Sequence, residues 1–172
     1  MRVLLALILV VTTFFGCTDK TPLLQITATA KVTDGYAIHN LIQTGTYTPL
    51  TDSAQLAKYL SPTETADALQ NRLTKTYSLY KDLGTMDGFL VRALLLSQNK
   101  NGKECYTFQL RSYDKASKPV DMFEFAVWDG AANRYCSGTL SRQWIINRTC
   151  DTTTEVWQLI NSGRFVASSF HK

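Results

Sequence analysis

The stretch GFLVRALLLSQNKNGKECYTFQLRSYDKASKPVDMFEFAVWDG, Gly88 to Gly130, sets the architecture. Phe89 to Gln98 is apolar on both faces, as a central strand is. Asn101-Gly102 is a strong turn signal, and Glu104 to Tyr113 then alternates, with Tyr106, Phe108 and Leu110 on one side. Pro119 to Trp128 reads as a third strand closed by Asp129-Gly130, and Arg134 to Ile146 as a fourth. The result is an antiparallel β-meander. At about 3.3 Å per residue its strands reach some 33 Å, long enough to curl around a helix.

The residues before the meander read as helices. Thr51-Asp52-Ser53 can cap a short helix through Leu60. Ser61-Pro62-Thr63-Glu64 is a capping box with Pro at the first helical position, and Leu69, Leu73, Tyr77 and Tyr80 recur at helical spacing up to Gly84. This predicts one long helix over Pro62 to Leu83. Further upstream, Gln25 to Thr33 alternates strictly, and Asp34-Gly35 would turn it into a hairpin with Tyr36 to Gln43. After the meander, Thr152 to Glu155 is a second capping-box pattern, favouring a short helix to about Gly163, although Trp157 and Leu159 also fit a strand, with Arg164 to Phe170 as a last strand. The expected fold class is therefore α+β: a meander packed on one long and one short helix, in a single domain over residues 25–172. In element order this resembles the NTF2-like and cystatin-like architectures, whose curved sheet wraps a helix.

The chain has 172 residues, 45% apolar and 19% charged, a globular composition with no repeat or low-complexity tract. Lys and Arg number 18 against 14 Asp and Glu, and the basic residues are scattered rather than run together. That excludes the basic stripe of a nucleic-acid binder.

Met1-Arg2 precedes an apolar run from Val3 to Phe15, too short to span a bilayer but matching the core of an export signal. The run ends at Phe14-Phe15-Gly16-Cys17. This resembles the lipobox of bacterial lipoprotein precursors, in which a small residue precedes a cysteine that is acylated and becomes the mature N-terminus. Phe14 and Phe15 stand where Leu and a small residue are commoner. The resemblance implies a signal peptide over residues 1–16, acyl chains such as palmitate on Cys17, and a tether over residues 17–24. It places the protein in the cell envelope. With Thr18 rather than Asp after the cysteine, it implies the outer membrane, facing the periplasm, in a cell with two membranes.

In that oxidising compartment Cys105, Cys136 and Cys150 remain. Cys105 and Cys136 would lie two strands apart, about 9.6 Å, beyond the roughly 7 Å that a disulfide tolerates. The breaker-rich segments Ser137-Gly138 and Asn147-Arg148-Thr149 let Cys136 meet Cys150, so this pair is the expected disulfide and Cys105 is left over. No CxxC, HExxH, GxSxG or phosphate-binding glycine loop is present, so no metal or cofactor is expected. His39 and His171 are the two histidines. Asp121 with Glu124 has the makings of a carboxylate pair, but such pairs are ordinarily solvated strand residues.

Aromatic residues crowd the meander, and Trp128 and Tyr135, flanking Asp129-Gly130, are the candidate contact surface. The leading expectation is a non-enzymatic, lipid-anchored module that binds an envelope protein or an apolar ligand. A second is an inhibitor of a hydrolase such as lysozyme, presenting Arg142 or Arg148 from a loop held between Cys136 and Cys150. A third is a hydrolase dependent on His39.

Overall fold

A computed structural model describes residues 21–28 and 45–168. Within them lie ten strands and two short helices: β1 (Leu24–Ile26), β2 (Thr48–Leu50), α1 (Ser53–Tyr59), α2 (Pro62–Gln70), β3 (Lys75–Met86), β4 (Phe89–Lys100), β5 (Lys103–Tyr113), β6 (Pro119–Asp129), β7 (Arg134–Leu140), β8 (Ile145–Cys150), β9 (Thr153–Leu159) and β10 (Phe165–Ala167). The strands form one antiparallel sheet in the order β10-β9-β8-β7-β6-β5-β4-β3-β2, with β1 added on β7.

This corrects the expected fold class. The protein is mostly β, and the long helix over Pro62 to Leu83, which the NTF2-like and cystatin-like likeness required, does not exist. The capping box is real: Ser61 caps α2 and Glu64 reaches back to the Ser61 amide. However, α2 stops at Asn71, whose amide bonds Asp67 O and whose side chain bonds the Asp67 carboxylate. Leu73 is left 94% exposed, and Lys75 onward pairs with β4. The central strand β4 dictates this, because its buried backbone groups need partners on both edges. The helical spacing has a physical origin too. Bulges between Leu79 and Lys81 and between Asp82 and Gly84 break the period of two. Tyr77 and Leu79 therefore face one core while Tyr80 and Leu83 face the other.

The predicted C-terminal helix is likewise the strand β9, and Glu155 of its supposed capping box instead accepts from Arg148 on β8. The expected fourth strand is split into β7 and β8 by a turn at 141–144. The proposed first hairpin is described only over its first residues, where β1 pairs with β7; its second arm, Tyr36 to Gln43, lies outside the described residues.

Both faces of β4 are buried, as its sequence indicates. Val91, Ala93 and Leu95 enter the larger core with Phe108, Leu110 and Phe125, while Leu94 and Leu96 pack under the helices with Tyr77 and Tyr113. The sheet turns sharply at β6 and β7. These strands pair only over Val127–Asp129 and Cys136–Arg134; beyond that point β1 takes the edge of β7 that β6 leaves. Side chains then bridge the vacated edge of β6 to its new neighbours. Arg148 Nη1 donates to Glu124 O at 2.8 Å, and the Asp121 carboxylate accepts the Phe165 amide of β10 at 2.8 Å.

Gly138 makes the corner possible. A Cβ there would sit 2.5 Å from the Phe125 carbonyl and under 3 Å from its ring. Gly138→Ala is expected to cost about 2 kcal/mol through overpacking against backbone that cannot yield. A denaturation midpoint equal to that of the unsubstituted protein would show that β7 does not pass so close to β6.

Candidate functional site

The helix-bearing face of the sheet is organised by a buried guanidinium. Arg111 on β5 is 1% exposed and makes a two-pronged contact with Glu64 of α2, Nη2 to Oε1 at 2.6 Å and Nη1 to Oε2 at 3.0 Å. Gln109 Oε1 accepts from Arg111 Nε and Nη2 at 3.1 and 2.7 Å. The same Glu64 Oε2 accepts from the Ser61 amide and hydroxyl, so one carboxylate caps its helix and fastens that helix to the sheet. Burial alone would raise the Glu64 carboxyl, but the hydrogen bonds and charge of Arg111, with the Ser61 donors, outweigh it and hold the group at about 2. Next to it, Arg92 stacks between the rings of Tyr59 and Tyr113 at 5.0 and 5.2 Å and donates from Nε to Asp82 at 2.6 Å. The Tyr113 hydroxyl donates to Tyr59 O, tying down the end of α1.

With the inner side of the helices committed, their outer side and the start of β6 enclose an open groove of about 740 Å³. Ala57, Leu60, Pro62, Ala66 and Leu69 supply an apolar lining, and Lys118 stands with Pro119 on the opposite wall. Exposed Val120 and Met122 follow Pro119 along β6. The Thr65 hydroxyl, also on a lining residue, is buried without a hydrogen-bond partner among the described residues. A smaller cavity of about 170 Å³ lies between α2 and the β2–β3 edge, bounded by Leu50, Leu56, Ala68 and Tyr77.

The four residues expected to form a contact surface do not converge. Tyr106, Trp128 and Tyr135 are direct partners across β5, β6 and β7 and form an aromatic row, with ring centroids 6.0 and 6.1 Å apart. Tyr106 is buried and Trp128 half-buried against the core, so the row is largely cross-strand packing. Arg148 is held by Glu155, by Glu124 O and over the Phe123 ring at 5.0 Å, and completes the edge of β6. Arg142 is exposed in the turn after β7, at the other end of that strand from Tyr135.

Cys136 and Cys150 are disulfide-bonded and directly opposite each other on β7 and β8, as the spacing predicts. Closing this loop contributes about 3 kcal/mol on a chain-entropy estimate. Cys105 is free and buried, and its thiol donates to Asp129 Oδ1 at 3.2 Å. Burial and that carboxylate raise its pKa, the reverse of what a nucleophile needs. Asp129 itself is held well below the usual carboxylate range; burial opposes this, but Lys100 at 2.7 Å, the Ala132 amide and the Cys105 thiol outweigh it. Cys17 and His39 lie outside the described residues. Among the described residues, no group of three or more His, Cys, Asp or Glu could hold a metal ion, and no helix is long and apolar enough to cross a membrane.

Glu64 and Arg111 were not legible as partners. The capping box marked Glu64, but alternation assigns Gln109 and Arg111 to a wet face opposite Phe108 and Leu110. The only hint is that a strand central to a meander has no wet face when helices precede it.

The pair has a pH signature. A carboxylate whose folded value lies below its ordinary 4.5 contributes stability that is complete above that value and is lost as pH falls toward about 2. Unfolding free energy should therefore decline between about pH 5 and pH 2. Glu64→Gln should remove that part of the decline and cost about 2–3 kcal/mol at neutral pH, by leaving Arg111 buried without a counter-charge. Denaturant titrations of both proteins across this range test it, and parallel pH profiles would refute the assignment. Against known proteins, the chain matches no family model, no curated sequence and no solved structure.

Proposed function

We propose that this is a lipid-anchored, non-enzymatic accessory protein of the cell envelope whose groove beside α1 and α2 holds an apolar segment of an envelope partner. The observation that carries the reading is the groove itself: about 740 Å³, mainly apolar in lining, open to solvent and, among the described residues, bounded by a single cation, Lys118. Binding sites of this size are typically apolar with few placed polar groups. The anchor rests on the apolar run ending at Gly16-Cys17, and the Cys136–Cys150 disulfide suits an exported, oxidised protein. Location on the outer membrane, facing the periplasm, rests on Thr18 after the cysteine.

The anionic apolar dye 1-anilinonaphthalene-8-sulfonate probes the groove directly, because it pairs an aromatic body with a charge that Lys118 can meet. Ala66 is exposed on the groove wall, so Ala66→Arg fills the space without entering the core. Saturable dye binding at one site should be lost in Ala66→Arg while the thermal midpoint is unchanged, and the envelope protein that crosslinks to the unsubstituted chain should no longer do so. Equal dye binding by the two proteins would sink the reading.

A second reading is favoured by one observation. The disulfide closes the β7–β8 hairpin at its base, and the exposed tip carries Arg142 and Gln143. A braced loop tipped with a cation is the form an inhibitor of an acidic hydrolase site would take. Arg148, committed within the sheet, has no part in it. On this reading the protein inhibits lysozyme, and Arg142→Ala weakens inhibition at least about tenfold, the loss of a charged anchor at the centre of an interface. Absence of inhibition by the unsubstituted protein would remove it.

A further inference from the structure

On the face of the sheet turned away from the helices, one end of β3, β4 and β5 is polar where the rest of the face is core. Thr76, Ser97 and Tyr106 are direct partners across the three strands, and Asn99 and Glu104 are the next pair along. The Asn99 amide bonds Thr74 O at 2.8 Å, which extends this second row to the chain entering β3. Alternation puts Ser97 and Asn99 on the side that Val91, Ala93 and Leu95 share, just beyond the point where the apolar run of β4 stops. Neighbours within a row stand about 4.8 Å apart and the rows about 7 Å apart. Together they line a shallow hollow of about 180 Å³, with Leu73 at its rim.

The polar groups of this hollow are largely unspent. The Thr76 and Ser97 hydroxyls make no hydrogen bond among the described residues. Asn99 Oδ1 accepts the Gly102 amide at 2.9 Å, which fixes the side chain and leaves its NH2 group to donate. Glu104 Oε2 accepts the hydroxyl of buried Tyr106 at 2.5 Å, which steadies the carboxylate and leaves Oε1 uncommitted. Beside them Leu73 is 94% exposed, on a turn closed by the Thr74 and Lys75 amides on Asn71 O. Two free hydroxyls, one amide donor, one carboxylate acceptor and one unpartnered apolar side chain thus converge on a single concavity.

We propose that this hollow binds a 2-acetamido sugar, one residue of a glycan. Ring hydroxyls both donate and accept, which matches a lining that mixes hydroxyls, an amide NH2 and a carboxylate. The acetyl methyl, which a plain hexose lacks, meets Leu73. Glu104 is the one charged residue of the lining among the described residues, so the sugar is neutral; an anionic one would face that carboxylate without a counter-charge. The groups are held by paired strands and a closed turn, so little ordering is left to oppose a small ligand. The site lies on the opposite face from α1 and α2 and depends neither on the groove nor on the anchor.

Titration calorimetry of the full chain with tri-N-acetylchitotriose should show one saturable site. Cellotriose, which has the same linkage without the acetamido groups, should bind at least about tenfold more weakly. Thr76→Val and Ser97→Ala each remove a hydroxyl while the strand pairing stays, and Leu73→Ser removes the apolar contact from an exposed turn. Each should weaken binding of the trisaccharide at least about fivefold with the thermal midpoint unchanged. Ala66→Arg, which fills the groove on the other face, should bind it as the parent does. Lack of saturable binding to tri-N-acetylchitotriose, or equal affinity for the two trisaccharides, would overturn the inference. So would undiminished binding in Leu73→Ser and Thr76→Val, or a loss confined to Ala66→Arg, since either places the sugar elsewhere on the molecule.

Discussion

The tight passage of β7 over β6 at Gly138 is the constraint from which the rest of the architecture follows. Because Gly138 has no Cβ, β7 can cross within contact of the Phe125 backbone and ring and leave β6 after three residue pairs. One long meander is thereby folded onto itself, with residues from β1, β4, β5, β6, β8, β9 and β10 meeting in a single core. The departure strands the backbone groups along the first half of β6, and an unpaired buried carbonyl or amide costs about as much as a lost hydrogen bond. Arg148 meets part of that demand by donating to Glu124 O, while Asp121 on β6 in turn accepts the Phe165 amide of β10. The arginine that resembled a presented binding residue is thus consumed by the corner.

The second organising contact is Arg111 with Glu64. A meander of this length has two faces, and the one turned from the main core needs a cover. Two helices of seven and nine residues are too short to be stable alone, so they depend on what they rest on. Leu56, Leu60 and Ala68 bury apolar surface, while the Arg111–Glu64 contact fixes α2 in place. The groove is what remains on the outside once α2 is fixed, since its walls are the outer residues of α1 and α2 and the start of β6. The site is therefore a consequence of the clamp, although no clamp residue lines it except Ser61.

Local signals carried much of the β architecture. The turn pairs Asn101-Gly102 and Asp129-Gly130 stand where chain reversals occur, and the double-sided apolar pattern of Phe89 to Gln98 identified the central strand. The capping box located the start of α2 and the placement of the cysteines identified the disulfide. Where the reading failed, a local pattern had two physical sources. Spacing of three or four residues arises from a helix or from a strand interrupted by bulges, and β3 is the latter. Thr152 to Glu155 has the residues of a capping box, but Glu155 is claimed by Arg148 across the β8–β9 ladder. The groove had no signature at all, because its walls come from three separated segments.

By itself the sequence determined the meander from Phe89 to Trp128, the first turn of α2 and the disulfide partners, because each depends on residues close in the chain or on an alternation that the pleat imposes. Only the tertiary structure decided that Lys75 to Met86 is a strand, that the sheet folds at Gly138, that Arg111 belongs to Glu64, and that the groove exists. In each of those cases the deciding partner is remote. A buried strand edge must be paired, a buried guanidinium must be neutralised, and a groove acquires its shape from segments that meet only after folding.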